Sequence, residues 1–164
     1  MQFQDMKIKS LNEVVNIVEK ERANSKIIVF TNGIFDILHV GHIRCLNEAK
    51  KLGDILIVAI NDDDSVRRIK GEDRPFTPID ERMEIISSMY FVDYVIKFSE
   101  DRVDKLILSI KPDIMAKGGD YTIDNIPERE VVISCGGRLF ITGDPKGHSS
   151  TEKISQIRRM EYEL

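Results

Sequence analysis

Two of the chain's three histidines stand three residues apart in the run Thr31-Asn32-Gly33-Ile34-Phe35-Asp36-Ile37-Leu38-His39-Val40-Gly41-His42. The apolar run Ile27-Ile28-Val29-Phe30 precedes it, and Ile43-Arg44-Cys45-Leu46-Asn47-Glu48-Ala49 follows with helical patterning. The spacing therefore puts His39 and His42 about one turn apart at the start of a helix. Unpaired backbone N–H groups and the positive end of the helix dipole favour an anion there. Gly41, between the two imidazoles, lets a phosphate approach the backbone closely. The chemistry this suits is a polyphosphate held by two rings and several amides, with donors aimed at oxygens whose charge grows during group transfer at phosphorus. Zinc would need a third ligand, which the remaining histidine, His148, is not placed to supply.

Other polar groups have chemical and plainer readings side by side. Lys70 ends Ser65-Val66-Arg67-Arg68-Ile69-Lys70 and can reach a phosphate as a flexible point charge, or belong to a solvated basic run. Asp62, Asp63 and Asp64 follow an apolar run, where they suit a sugar hydroxyl, a hydrated magnesium ion or simply a turn. Arg82, early in a helix after Pro78, can grip a phosphate bidentately or pair with Asp80, Glu81 or Glu84. Lys117-Gly118-Gly119-Asp120-Tyr121 permits close backbone approach to a flat base, or makes a strand-end turn. Ser149, Ser150 and Thr151 precede a final helix, so their hydroxyls and its first amides suit a β- or γ-phosphate, or plain capping.

Alternating strands and helices must position these groups. Short β-prone apolar runs recur at 27–30, 55–60, 92–96, 113–116 and 138–141. Between them helical patterning covers 41–52, 79–89, 101–110, 127–135 and 150–160, each long enough for a crossover between parallel strands. Ser10-Leu11-Asn12-Glu13 has capping-box spacing and opens an amphipathic helix over 10–24. The expected fold is α/β: a five-stranded parallel, Rossmann-like, doubly wound sheet with helices on both faces. Ligands bind beyond the carboxyl ends of such strands, so the loops after the first, second, fourth and fifth are the expected site.

Composition bounds the rest. With 164 residues, a single domain over 1–164 is expected, its catalytic core spanning 26–160. Hydrophobic residues at 41% and charged residues at 32% exclude a disordered or fibrous chain. A net charge of −4 argues against wrapping nucleic acid or coating an anionic membrane. Cys45 and Cys135 alone build neither a disulfide framework nor a zinc cluster and suit a reducing cytoplasm. No export signal or bilayer-length apolar run is expected.

The run T-N-G-x-F-D-x-L-H-x-G-H resembles the signature of the cytidylyltransferase-like nucleotidyltransferases. With Asn61-Asp62-Asp63-Asp64-Ser65-Val66-Arg67-Arg68-Ile69-Lys70-Gly71, Arg74-Pro75-Phe76-Thr77-Pro78-Ile79-Asp80-Glu81-Arg82, Lys117-Gly118-Gly119-Asp120-Tyr121 and Gly147-His148-Ser149-Ser150-Thr151, the resemblance narrows to D-glycero-β-D-manno-heptose 1-phosphate adenylyltransferases. It implies that His39, His42 and Lys70 are catalytic and contact the reacting phosphates. It also implies a nucleotide site of Thr31, Asn32, Gly33, Phe35, Asp36, Gly41, Asp63, Arg82, Lys117, Gly118, Gly119, Asp120, Ser149, Ser150 and Thr151. Asp63 is chosen from the acidic cluster because it stands closest to the family's N-D-D core. Asp144-Pro145-Lys146-Gly147 departs from the Arg-Thr-Glu-Gly usual in cytidylyltransferases and favours ATP over CTP, while Ile34 stands where the heptose enzymes commonly have cysteine.

The implied reaction moves AMP from ATP, carried with Mg²⁺, to a sugar 1-phosphate, giving ADP-heptose and pyrophosphate for surface polysaccharide. Metal ligands are not marked by any pattern. The expected partners are these two substrates and a second copy of the chain, without the kinase domain to which this activity is often fused. A glycerol-3-phosphate or related cytidylyltransferase, and a nucleotide-binding module without chemistry, are the alternatives.

Overall fold

The computed structural model describes residues 6–143 and Ile154. Among these, five strands, β1 (Ile28–Gly33), β2 (Ile55–Asn61), β3 (Tyr94–Phe98), β4 (Ile114–Gly118) and β5 (Arg138–Thr142), form one sheet in the order β3-β2-β1-β4-β5. All neighbours pair in parallel. The helices are α1 (Leu11–Ala23), α2 (Val40–Lys50), α3 (Asp63–Lys70), α4 (Ile79–Ser87), α5 (Asp104–Ile110) and α6 (Arg129–Ser134). The direction of strand order reverses between β1 and β4, which opens a crevice above their carboxyl ends.

Period-two geometry splits the apolar strands between two cores. Ile28 and Phe30 of β1, with Ile55, Ile57 and Ala59 of β2, pack with Val14 and Val18 of α1, Leu106 and Ile107 of α5, and Val132 of α6. Their alternates, Val29 with Leu56, Val58 and Ile60, pack with Leu46 and Ala49 of α2 and with Met83 and Ile86 of α4. Both faces are covered, so these strands read as continuous apolar runs, each fully buried side chain contributing about 1.5–3 kcal/mol.

At the amino-terminal edge of the sheet, aspartates fix register. Asp54 Oδ2 accepts from the N–H of Ile27 at 2.8 Å, Asp93 Oδ2 from Leu56 at 2.7 Å, and Asp113 Oδ2 from Ile28 at 2.8 Å. The bond from Ile27 N–H, seconded by Lys26, holds the Asp54 carboxyl below the usual carboxylate range. Part of the chain's acidity thus serves the end of the sheet opposite the crevice.

The α/β alternation matches expectation, and α1 carries its capping box, with Ser10 Oγ accepting from Glu13 N–H at 3.3 Å. Three differences have physical causes. The segment read as an acidic turn is α3: Asp62 is its N-cap, accepting from Ser65 N–H at 2.8 Å, and Asp63 and Asp64 occupy its first turn, where the dipole favours carboxylates. β1 runs on to Gly33 because the polar Thr31 and Asn32 remain paired with β2. The third strand begins at Tyr94 because Asp93 faces back to cap β2. The helix expected over 150–160 lies outside the described residues, Ile154 excepted.

Candidate active site

A cavity of about 480 Å³ occupies the crevice. Its walls come from Thr31, Asn32 and Gly33 at the end of β1 and Phe35, Asp36, His39, Gly41 and His42 beyond it, from Lys70 at the end of α3, and from Lys117 and Gly118 at the end of β4 with Gly119 and Asp120 beyond it. Thr142 and Gly143 close it beyond β5. The expected loops do converge, and the loop after β3 joins them through Asp101 and Arg102. Ser149, Ser150 and Thr151 lie outside the described residues.

Local packing explains the first motif residue by residue. Phe35 adopts φ 54°, turning its ring back over Gly33, where an added Cβ would meet Phe35 Cε2 at 2.9 Å. A side chain at 33 would therefore have to displace the Phe35 ring. The same ring meets His42 edge-on, with centroids 5.4 Å apart. His39 N-caps α2, and its ring centroid lies 3.9 Å from that of His42. His42 Nδ1 accepts from the His39 N–H at 3.3 Å, which assigns the ring proton to Nε2. The first turn of α2 carries no acidic side chain to oppose an anion at its amino end.

Burial, with His39 as a second cause, pushes the His42 imidazole down to about 4. At neutral pH it is an uncharged N–H donor. Because the unfolded chain protonates near the ordinary value of 6.5 and the folded one only near 4, the stability held above pH 6.5 is lost as pH falls toward 4. Across that window the group is expected to cost roughly 3 kcal/mol. Urea midpoints measured from pH 7 to 4 should decline less in His42→Gln than in the unmodified protein.

Lys70 has no hydrogen-bond partner among the described residues and lines the cavity as an available cation. Lys117 is committed: its Nζ donates to Asn32 Oδ1 at 2.7 Å and to Glu128 Oε1 at 3.1 Å. Burial pushes the Lys117 ammonium down, partly opposed by the Glu128 carboxylate. Cys45 Sγ lies 3.0 Å from Thr142 Oγ1 at the cavity wall, and burial pushes this thiol up, away from the nucleophilic thiolate.

Three of the expected ligand groups are engaged by protein partners and brace the site. Arg82, 1% exposed, donates from Nε to Thr77 O at 2.8 Å and from Nη1 to Ile34 O and Asn61 O, each at 2.7 Å; its Nη2 reaches Asp63 Oδ1 at 2.6 Å. It joins the loops after β1 and β2 to the turn before α4 and leaves no fork for a phosphate. Neither Arg82 nor Asp63 lines the cavity, and Asp63, not the local acids of α4, is its ionic partner. Asp36 lines the cavity, yet its carboxylate accepts from Arg74 Nε at 2.5 Å and from the N–H groups of Phe76 and Thr77 at 2.7 and 2.8 Å. It pins the segment before α4 and has little capacity left for a ligand.

Glu128 and Arg102 were not legible in the sequence. Glu128 looks like an ordinary acidic residue before a helix, and no spacing relates it to Lys117. Among the described residues no group of three or more His, Cys, Asp or Glu stands together in a way that could hold a metal ion. No helix among them is long and apolar enough to cross a membrane.

The chain is similar to known proteins. Residues 30–156 match the cytidylyltransferase-like family model. The chain is 44% identical over 153 residues to the bifunctional protein HldE of Geobacter sulfurreducens, covering 93% of this chain and 31% of that protein. It is 46% identical over 155 residues to the bifunctional protein HldE of Geobacter metallireducens, covering 94% and 32%. It thus spans about a third of the length of these curated relatives. The crystal structure of the lipopolysaccharide core biosynthesis protein from Thermoplasma volcanium superposes with TM-score 0.58 at 36% identity, over 71% of this chain and 93% of that one. Pantoate-beta-alanine ligase from Francisella tularensis shares the fold alone, with TM-score 0.61 at 16% identity over 89% of this chain and 69% of that one. With a family match over residues 30–156, most of its length, the chain belongs to the cytidylyltransferase-like family.

Proposed function

We propose that the protein is an adenylyltransferase joining AMP from ATP to D-glycero-β-D-manno-heptose 1-phosphate. One observation carries the reading: His39, His42, the amino end of α2 and the available ammonium of Lys70 border a single cavity at the topological switch of the sheet. The similarity to HldE proteins and to a lipopolysaccharide core biosynthesis protein supports a sugar phosphate as the acceptor.

A phosphate oxygen of the sugar 1-phosphate attacks the α-phosphorus of ATP, the bond from that phosphorus to the bridging oxygen breaks, and pyrophosphate leaves. The nucleophile is already anionic, so neither a covalent enzyme intermediate nor a strong base is required. His42 donates from Nε2, the α2 amides cradle the triphosphate, and Lys70 offsets charge gathering on the leaving group. Mg²⁺ enters with ATP as its counterion. A homodimer working in the cytoplasm belongs to the same reading, and sedimentation of the purified protein reads the first part.

ATP labelled at the α-phosphorus should leave its label in the sugar nucleotide, and γ-labelled ATP should leave it in pyrophosphate. Label from the γ-phosphorus in the sugar product would instead mean a kinase. Lys70→Ala is expected to lower kcat about tenfold or more while leaving the thermal midpoint within about 1 °C, because an exposed side chain without a partner adds little stability. Steady-state kinetics beside a melting curve checks both halves.

A further inference from the structure

Glu128, which lines the cavity, combines a buried carboxylate, a cation on one oxygen and a second oxygen with no hydrogen-bond partner among the described residues. It is 5% exposed, its Oε1 accepts from Lys117, and its Oε2 has no hydrogen-bond partner among the described residues. The preceding Pro127 O accepts from Arg102 Nη2 at 2.7 Å, and Glu128 itself caps α6, so the carboxylate is held from both sides. A buried acceptor left unmatched costs about 1–3 kcal/mol. Such a group fits a donor that arrives with the ligand.

We propose that Glu128 is a specificity-determining residue whose Oε2 accepts a hydrogen bond from a sugar hydroxyl of the bound substrates. The surroundings select this chemistry. A carboxylate repels phosphate oxygens, which excludes the charged parts of either substrate. The Lys117 ammonium on the adjacent oxygen disfavours a metal ion, and the described residues assemble no metal cluster around it. A neutral O–H completes the pair without adding charge to a buried site. Lys117 also ties the carboxylate to Asn32 at the end of β1, so a hydroxyl seated on Glu128 is registered against the loop that carries the histidines. Two sugars enter this cavity in the proposed reaction, the ribose of ATP and the acceptor, and the inference rests on that reading.

The test compares the unmodified 164-residue protein with Glu128→Gln. Glutamine keeps a carbonyl oxygen for Lys117 and replaces the empty acceptor by a donor. KM for ATP and for the sugar 1-phosphate, kcat and the thermal midpoint are measured for both proteins, and the unmodified protein is also assayed with 2′-deoxy- and 3′-deoxy-ATP. The expected result is a rise of about tenfold or more in KM for one substrate, with kcat within about threefold. If the ribose is the source, one deoxy analogue reproduces the loss in the unmodified protein and adds nothing in the variant. If the acceptor is the source, both deoxy analogues behave as ATP does and only the acceptor KM rises. An active unmodified protein that tolerates both analogues, beside a Gln variant with both KM values unchanged or a loss confined to kcat and stability, overturns the proposal. An unmodified protein inactive with every sugar phosphate overturns the functional reading and this inference with it.

Discussion

Alanine at His42 is expected to lower kcat for nucleotidyl transfer by about a hundredfold or more. The ring is a neutral donor fixed before substrate arrives: Phe35 abuts its edge, His39 stacks near it, and the His39 N–H occupies Nδ1. Only Nε2–H remains to meet charge that grows as pyrophosphate departs. A donor aimed in this way is typically worth about 3–4 kcal/mol in the transition state. The fold loses far less, since the orphaned His39 N–H lies at the start of a helix beside an open cavity. Rapid-quench turnover and a melting curve on the same preparation separate the two effects. A full rate in His42→Ala would remove the imidazole from the mechanism.

Arg82 should behave in the opposite way. Its guanidinium is buried and satisfies the carbonyls of Ile34, Asn61 and Thr77 together with the Asp63 carboxylate. Replacing it by Ala strands these acceptors and removes the tie between the β1 loop, the β2 end and α4, at an expected cost of about 3 kcal/mol or more. In a chain of this size that is a fall of roughly 10 °C in thermal midpoint. Lys at 82 should recover little, because a single ammonium cannot reproduce a planar fork serving three segments. Differential scanning calorimetry of both variants checks this. An unchanged midpoint with a raised KM for ATP would return Arg82 to the phosphate site.

The contrast between these residues shows which information a sequence carries openly. The strands were legible because burial on both faces leaves unbroken apolar runs such as Ile55–Ile60, and the α2 start was legible because a histidine pair around Gly41 has a spacing with chemical meaning. Arg82 and Asp36 escaped because their partners are backbone groups 48 and 40 residues away in sequence, and a side chain bonded to a distant carbonyl or N–H leaves no periodic trace. α3 escaped because Asp62-Asp63-Asp64 resembles a turn, although Asp62 with Ser65 three residues on is an N-cap pattern that could have revealed it. Glu128 escaped because its meaning depends on Lys117, brought to it only by the return of the chain from β4 to the start of α6. Pattern thus locates the histidine end of the site, while the braces and the buried Lys117–Glu128 pair emerge only from packing.

Pyrophosphate release tests the central claim most directly. The purified protein is incubated with Mg²⁺, each of ATP and CTP, and a panel of sugar 1-phosphates and glycerol 3-phosphate, with His42→Ala beside it. Release is expected with ATP and heptose 1-phosphate together, matched mole for mole by ADP-sugar, absent when either substrate is omitted, and about a hundredfold slower in the variant. Nucleotide binding without pyrophosphate from any pair, or release confined to CTP, would contradict the account.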